Sequence, residues 1–277
     1  MENVNNNKSK VQAVIFDWAG TTVDYGCFAP VQVFVEIFRK RGIEITIEEA
    51  REPMGLLKID HIRALLDMKR IAHLWLAAFD REPNEEDVRA LYMDFEEMLF
   101  KVLKNFAKPI PGVLDLVNEL RQQEIKIGTT TGYTREMIDI VAQEAKKLGY
   151  EPDSIVSSCE VPEGRPAPWM CYETAKKLKV YPFSEMIKVG DTVIDIKEGI
   201  NAGMWTVGVL KGGSELGLSE AEVRQLDEVE LRERMQIAET KFLEAGADFV
   251  IDEIGDLLSV IEEINVIMAM EEETVNS

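Results

Sequence analysis

The stretch VQAVIFDWAGTTVD, residues 11–24, carries the pattern that decides the fold. It opens with a run of β-forming apolar residues that ends at the carboxylate Asp17, and small and hydroxyl-bearing residues follow. A short apolar run bounded by a glycine-containing turn is typical of a strand that is buried on both faces. Similar runs recur along the chain at IKIGTTT (125–131), SIVSS (154–158), MIKVGD (186–191), WTVGVL (205–210) and ADFVI (247–251).

Helix-like segments alternate with these later runs. Two of the clearest are REMIDIVAQEAKKLG (135–149) and ELRERMQIAETKFLEAG (230–246), each of which ends in a glycine that suits a helix C-terminal cap. Strands that alternate with helices indicate βαβ units. We therefore predict an α/β fold with a doubly wound parallel sheet.

Residues 27–106 interrupt the alternation because they contain only helix-like patterns. One of these patterns, LLKIDHIRALLDMKRIAHLWLAAF (56–79), is long enough for a single extended helix. An all-helical block between the first two strands indicates an inserted cap domain. The predicted organisation is a core domain at 11–26 and 107–268, a helical cap domain at 27–106, and disordered tails at 1–10 and 269–277.

The composition limits the partners and the compartment of the protein. Its formal net charge of −20 disfavours nucleic acid and anionic membranes as partners. It has neither an apolar run long enough to span a membrane nor the apolar region of a signal peptide. Three cysteines without a CxxC pair are typical of a reduced, cytoplasmic protein. Because the surface also repels phosphate, any phosphate chemistry requires a local cation.

Polar side chains follow the ends of several predicted strands. Asp17 and Thr131 end the first two, and Asp191 ends a later one, with Asp195 one helical turn beyond. The carboxyl ends of parallel strands meet at one edge of a sheet, where ligands bind. Carboxylates suit Mg²⁺, and a free carboxylate can attack phosphorus to form an aspartyl phosphate. Thr131 and Arg165, which lies in the loop GRPAP, would then hold phosphoryl oxygens.

Each of these signals also has a simpler interpretation when it is taken alone. An aspartate after a strand is commonly a helix N-cap, and a TTTG run is commonly a turn. An arginine between glycine and proline is commonly a solvated loop residue. Because all of them fall at the same ends of successive strands, we favour an active site.

The same segments resemble the four motifs of the haloacid dehalogenase superfamily. The matching segments are AVIFDWAGTTVD, the TTTG strand end, the basic residue of GRPAP, and GDTVIDIKEGINAG, and the helical insertion resembles the cap of that superfamily. The resemblance extends over about residues 12–265. It implies a Mg²⁺ cofactor whose ligands are Asp17, Asp191, Asp195 and the backbone carbonyl of Ala19.

Two departures from the common phosphatase pattern indicate a branch of this superfamily. Ala19 stands where those phosphatases carry a second aspartate, which protonates the leaving alkoxide. Lys58, within the cap segment MGLLKIDHI, and the later segment GGSELGLSEAEV are similar to the phosphonoacetaldehyde hydrolase family. In that family the cap lysine forms a Schiff base with the substrate aldehyde.

This resemblance implies hydrolysis of the carbon–phosphorus bond of phosphonoacetaldehyde to acetaldehyde and phosphate. Asp17 would be the nucleophile, and an iminium on Lys58 would accept the electrons of the breaking bond, so that no acid is needed at Ala19. Lysine attacks a carbonyl only when it is neutral, and its pKa should therefore lie below about 10.4. Which group hydrolyses the aspartyl phosphate is left open among His61, Cys27 and the enamine.

The resemblance also implies further site residues and a homodimer formed through the cap domain. It gives His61 a proton-transfer role and places Cys27, Met54, Gly55 and Tyr133 at the substrate pocket. As simpler interpretations, His61 would be a helix-surface residue and Cys27 a small buried apolar residue.

Two other functions remain open. One is a phosphatase of the same superfamily that acts on a small phosphate ester and uses a different proton donor, such as His61. The other is a catalytically silent regulator that binds a metal or phosphate. Asp17 argues against the regulator, because a pure binding protein does not need a free carboxylate beside its metal site.

Overall fold

A fully parallel six-stranded sheet forms the centre of the protein. The computed structural model describes residues 9–275, so the predicted N-terminal tail lies almost entirely outside the described residues. The strands lie in the order β3-β2-β1-β4-β5-β6, which is the order of the Rossmann fold. Every predicted strand is confirmed, with bounds at β1 (Ala13–Phe16), β2 (Lys126–Thr131), β3 (Ser154–Ser157), β4 (Met186–Gly190), β5 (Trp205–Val209) and β6 (Phe249–Ile251).

The described part of the chain contains twelve α-helices. The helices of the segment between β1 and β2 are α1 (Phe28–Arg39), α2 (Ile47–Arg51), α3 (Lys58–Asp67), α4 (Lys69–Phe79), α5 (Glu85–Val102) and α6 (Val113–Gln122). Those after β2 are α7 (Arg135–Lys147), α8 (Trp169–Leu178), α9 (Val193–Ala202), α10 (Glu220–Gln225), α11 (Glu228–Glu244) and α12 (Leu257–Val275).

Strand β1 shows why the sheet is covered on both faces. All four of its residues are buried. Ala13 and Ile15 belong to a hydrophobic cluster with residues of α8, whereas Val14 and Phe16 belong to a cluster with residues of α6, α7 and α12. Successive side chains of a strand point to opposite faces, so an uninterrupted apolar run requires an apolar layer on each face. The prediction of a doubly wound sheet is therefore confirmed.

The insertion between β1 and β2 is helical, as predicted, but one of its helices differs from the prediction. The segment 56–79 forms two helices instead of one, because Met68 has an extended backbone with ψ of 126°. A single helix of that length would span about 36 Å. The break lets α4 pack against α3, so that Ile71 and Trp75 are buried in the hydrophobic core together with Leu65.

The C-terminal end also differs from the prediction. Residues 269–275 continue helix α12 to Val275, whereas the sequence predicted a disordered tail over 269–277. The acidic run at 271–273 suggested disorder, but the helix is anchored just before it by the buried residues Ile264 and Met268. The backbone N–H of Ser9 also donates to the Glu272 carboxylate at 3.2 Å.

None of the helices in the part of the chain that the structure describes is long and apolar enough to cross a membrane.

Close packing of α11 on the sheet predicts a stability difference between two glycines. A Cβ at Gly208 in β5 would lie 2.7 Å from the Phe242 ring, whereas a Cβ at Gly255 would contact nothing within 4 Å. We expect Gly208→Ala to lower the free energy of unfolding by about 1–3 kcal/mol, because overpacking forces neighbouring atoms apart. We expect Gly255→Ala to change it by less than about 0.5 kcal/mol. Urea unfolding measures both, and equal midpoints would contradict the packing described here.

Candidate active site

Three carboxylates meet at the carboxyl ends of β1 and β4. These strands are paired in parallel with Phe16 opposite Val189, so the residues that follow each strand emerge side by side. Asp17 and Asp191 emerge here, and Asp195 lies in the first turn of α9. One oxygen from each carboxylate lies within 4.8 Å of the others. The structure thus brings together the three aspartates predicted as metal ligands.

The loop regions around Asp191 hold its carboxylate in place. Thr21 Oγ1 donates to Oδ1 at 3.0 Å, and the backbone N–H of Ser214 donates to Oδ2 at 2.7 Å. Burial, followed by the nearby carboxylates of Asp17 and Asp195, raises the pKa of Asp191 to about 7. Burial also raises the pKa of Asp17, and the nearby charge of Arg165 offsets part of this rise. Buried like charges at this spacing disfavour ionisation, and a nearby cation would stabilise the charged carboxylates.

This donor set fits Mg²⁺. The three aspartates supply hard oxygen ligands, and Ala19 lines the same cavity. Asp195 accepts the most hydrogen bonds of the three. Its Oδ1 accepts from Lys188 Nζ at 2.8 Å, and its Oδ2 accepts from Thr192 Oγ1 at 2.6 Å. Asp17 and Asp191 therefore have more freedom to bind a metal directly.

Arg165 lies at the centre of the buried charges. Its Nη2 donates to Asp17 Oδ1 at 2.6 Å and to the Thr130 carbonyl at 2.9 Å, and its Nη1 lies 3.0 Å from Asp195 Oδ1. Burial alone would lower the pKa of Arg165, but Asp17 and Asp195 hold it well above its ordinary value. The guanidinium is therefore a fixed positive charge beside the predicted nucleophile.

A buried cavity extends from these carboxylates to the cap. Asp17 and Thr131 line its core end, and Lys58, at the start of α3, lines its cap end. The full lining is Asp17, Ala19, Cys27, Met54, Gly55, Leu56, Lys58, Thr131, Gly132, Tyr133, Arg165, Asp191, Thr192 and Ser214. Gly55 has φ of +95°, and a Cβ there would lie 2.8 Å from Thr192 Oγ1, so the cap loop requires glycine where it contacts the core.

Lys58 lies in an apolar part of the cavity. Its Nζ lies 3.9 Å from Met54 Sδ and 5.5 Å from the centre of the Tyr133 ring. The residue is 8% exposed, and this burial lowers the pKa of Lys58 below its ordinary value. A larger fraction of the amine is then neutral at a given pH, as attack on a carbonyl requires.

His61 does not line the cavity. It is fully buried behind Lys58, with its ring stacked 3.9 Å from the centre of the Phe34 ring. Its Nε2 donates to the Ala50 carbonyl at 2.9 Å, and its Nδ1 has no hydrogen-bond partner among the described residues. Burial and the charge of Lys58 lower the pKa of His61 well below its ordinary value, which keeps the ring neutral.

Known proteins resemble this chain over nearly its whole length. A family model described as haloacid dehalogenase-like hydrolase matches residues 11–203. The phosphonoacetaldehyde hydrolases of Bacillus cereus (strain G9842) and Bacillus cytotoxicus are each 60% identical to it over 255 residues, which cover 92% of this chain and 97% of theirs.

The chain belongs to the phosphonoacetaldehyde hydrolase family.

Solved structures agree with this assignment. The crystal structure of a phosphonoacetaldehyde hydrolase-like protein from Oleispira antarctica matches with a TM-score of 0.93 and 41% identity, over 98% of both chains. A hydrolase from Pseudomonas syringae, at 19% identity and a TM-score of 0.64 over 91% of this chain and 98% of its own, shares the fold alone.

Sequence reasoning missed several residues in this member of the phosphonoacetaldehyde hydrolase family. Leu56, Gly132, Thr192 and Ser214 also line the cavity. Buried Lys188 and Glu198 contact Arg165 or Asp195. Lys188 could have been found, because a lysine within the apolar strand MIKVG requires a buried partner. Ser214 gave no signal beyond its place in the family-like segment GGSELG.

The acidic cluster predicts that Asp191 contributes to divalent metal affinity. Asp191→Asn removes one of the three clustered charges, so we expect it to weaken binding by at least about tenfold, or about 1.4 kcal/mol. Titration with Mn²⁺ followed by electron paramagnetic resonance measures this independently of turnover. Asp139→Asn, which changes an exposed aspartate of α7, is the matched control. Equal Mn²⁺ affinity in both variants would exclude Asp191 from the metal site.

Proposed function

We propose that this protein hydrolyses the carbon–phosphorus bond of phosphonoacetaldehyde, giving acetaldehyde and phosphate. The observation that carries the proposal is that Asp17 from the core and Lys58 from the cap line the same buried cavity. The names of the Bacillus relatives, at 60% identity, support the substrate. Ala19 supports it against a phosphate ester, because alanine cannot protonate a leaving alkoxide.

The aldehyde end of the substrate would bind at Lys58. The neutral amine adds to the aldehyde carbon, and loss of water together with the uptake of one proton gives a protonated imine on Nζ. Burial favours this step because it lowers the pKa of Lys58. Cys27, Met54, Gly55 and Tyr133 line the cavity and would enclose the short carbon chain.

The phosphonyl end would bind between Asp17, Thr131 and Arg165. A carboxylate oxygen of Asp17 attacks phosphorus, and the electron pair of the carbon–phosphorus bond moves into the iminium to give an enamine. A Mg²⁺ ion bound by Asp17, Asp191, Asp195 and the Ala19 carbonyl would neutralise charge on the phosphonyl oxygens. The Arg165 guanidinium adds a fixed charge beside Asp17.

Both covalent intermediates would then be hydrolysed. The enamine takes up a proton at carbon, and water releases acetaldehyde from Lys58. A second water cleaves the aspartyl phosphate and restores Asp17. Since imine formation released one water, the sum is phosphonoacetaldehyde plus water giving acetaldehyde plus phosphate. His61 is fully buried and stacked on Phe34, so it is too enclosed to contact the substrate. We therefore propose that its proton-transfer role is confined to the amine of Lys58.

We also propose a cytoplasmic homodimer formed through the cap. Helix α4 carries two large apolar side chains at its surface, Leu76 at 43% and Phe79 at 40% exposure. Exposed apolar groups on one helix are typical of protein–protein contacts. The reduced cysteines Cys27, Cys159 and Cys171 agree with a cytoplasmic location.

Borohydride trapping tests the Schiff base directly. We expect sodium borohydride, added with phosphonoacetaldehyde, to reduce the imine and attach a stable adduct to Lys58. Mass spectrometry of the digested protein locates the adduct. Lys101, an exposed lysine of the cap, is the matched position and should stay unmodified.

Arginine substitutions complete this test. Lys58→Arg keeps the charge but cannot form an imine, so activity should be lost, whereas Lys101→Arg should be as active as the wild type. Steady turnover with Lys58 unmodified, or an active Lys58→Arg variant, would contradict the Schiff-base mechanism.

A further inference from the structure

Two charged residues lie beneath the active site without lining its cavity. Lys188 stands in the middle of β4 and Glu198 in α9, and both are fully buried. Lys188 Nζ lies 2.8 Å from Asp195 Oδ1 and 3.4 Å from Glu198 Oε2. Charged side chains of these types are rarely buried so completely, and each must therefore be held by partners of opposite charge.

The glycine after Glu198 allows this arrangement. A Cβ at Gly199 would lie 2.8 Å from Lys188 Cβ and 2.5 Å from Thr206 Cγ2. Helix α9 therefore packs directly on β4 and β5 at this point. That close approach places the Glu198 carboxylate beneath Arg165.

Glu198 holds the far side of the Arg165 guanidinium. Its Oε2 accepts from Arg165 Nε at 2.9 Å and from Thr130 Oγ1 at 3.2 Å. Its Oε1 is buried and has no hydrogen-bond partner among the described residues. A buried carboxylate with one unsatisfied oxygen costs stability, so folding alone does not account for a glutamate here.

Arg165 is consequently fixed along three edges. Nε is held by Glu198, Nη1 faces Asp195, and Nη2 donates to Asp17. Arg165 and Lys188 contribute two positive charges, which the carboxylates of Asp195 and Glu198 balance. The edge bearing Nη2 remains directed at the nucleophile, where charge would develop during phosphoryl transfer.

We propose that Glu198 is a positioning residue for phosphoryl transfer, because it fixes Arg165 with Nη2 facing Asp17 and the phosphonyl group. Lys188 balances the charge that Glu198 adds to the core. This inference rests on the proposed function for its substrate, since it concerns the phosphonyl end and leaves the aldehyde end unchanged.

Substitutions of Glu198 test the proposal. Glu198→Leu removes the acceptor for Nε, and we expect kcat to fall about 100-fold, the loss typical of a misplaced catalytic group. Inhibition by inorganic phosphate should weaken, because Arg165 no longer faces that ligand. Glu198→Gln keeps an acceptor oxygen and should retain most of the activity. Borohydride trapping at Lys58 should continue in both variants, since imine formation does not use Arg165.

A double variant separates the positioning role of Glu198 from its effect on the stability of the protein. Lys188→Met with Glu198→Leu removes one charge of each sign, and such apolar replacements of buried ion pairs are commonly neutral or stabilising. Because Asp195 loses its contact with Lys188 but keeps the one with Arg165, we expect the thermal midpoint to rise above that of Glu198→Leu while kcat stays about 100-fold low. Recovery of kcat together with the midpoint would overturn the positioning role. If wild-type protein neither turns over the phosphonate nor traps at Lys58, the proposed function itself fails.

Discussion

The mutual repulsion of buried carboxylates at the ends of β1 and β4 is the constraint on which the rest of the site depends. One carboxylate oxygen from each of Asp17, Asp191 and Asp195 lies within 4.8 Å of the others, and the three residues are nearly or fully buried. Fixed cations offset part of this repulsion, since Arg165 contacts two of the carboxylates and Lys188 one. The repulsion that remains favours a divalent cation, which in the proposed reaction would link metal binding to the attack of Asp17.

The cap adds a buried amine, that of Lys58, to the same cavity. Because Lys58 is surrounded by Met54, Tyr133 and other apolar groups, burial opposes its protonation and favours a neutral amine. The core alone has the groups of a phosphoryl-transfer site, and in the proposed mechanism the cap amine is what allows carbon to leave. In the proposed mechanism, the replacement of a general acid by Ala19 and the presence of Lys58 thus belong together.

The fold and the core end of the cavity were predictable because strand periodicity and the residues at strand ends are local in sequence. The residues at the cap end, such as Lys58 and Met54, were predicted only through the family resemblance. The prediction of a single helix at 56–79 was wrong, because the chain breaks into two helices at Met68. This break allows Ile71 and Trp75 to be buried, which no local sequence pattern shows. The prediction of a disordered tail was wrong for residues 269–275, which continue helix α12. Burial of Ile264 and Met268 just before them anchors the helix despite the acidic composition of this end. Glu198 was missed since its role depends on contacts with Arg165 across 33 positions of the chain.

A rapid acid quench of a single turnover, followed by mass spectrometry of the peptide that contains Asp17, tests the central claim most directly. That claim is that Asp17 attacks phosphorus only after Lys58 has bound the aldehyde. With phosphonoacetaldehyde and Mg²⁺, the account predicts a phosphoryl group on Asp17 in the wild-type protein and none in the Lys58→Arg variant. Phosphorylation of Asp17 in the variant at the wild-type rate would contradict it.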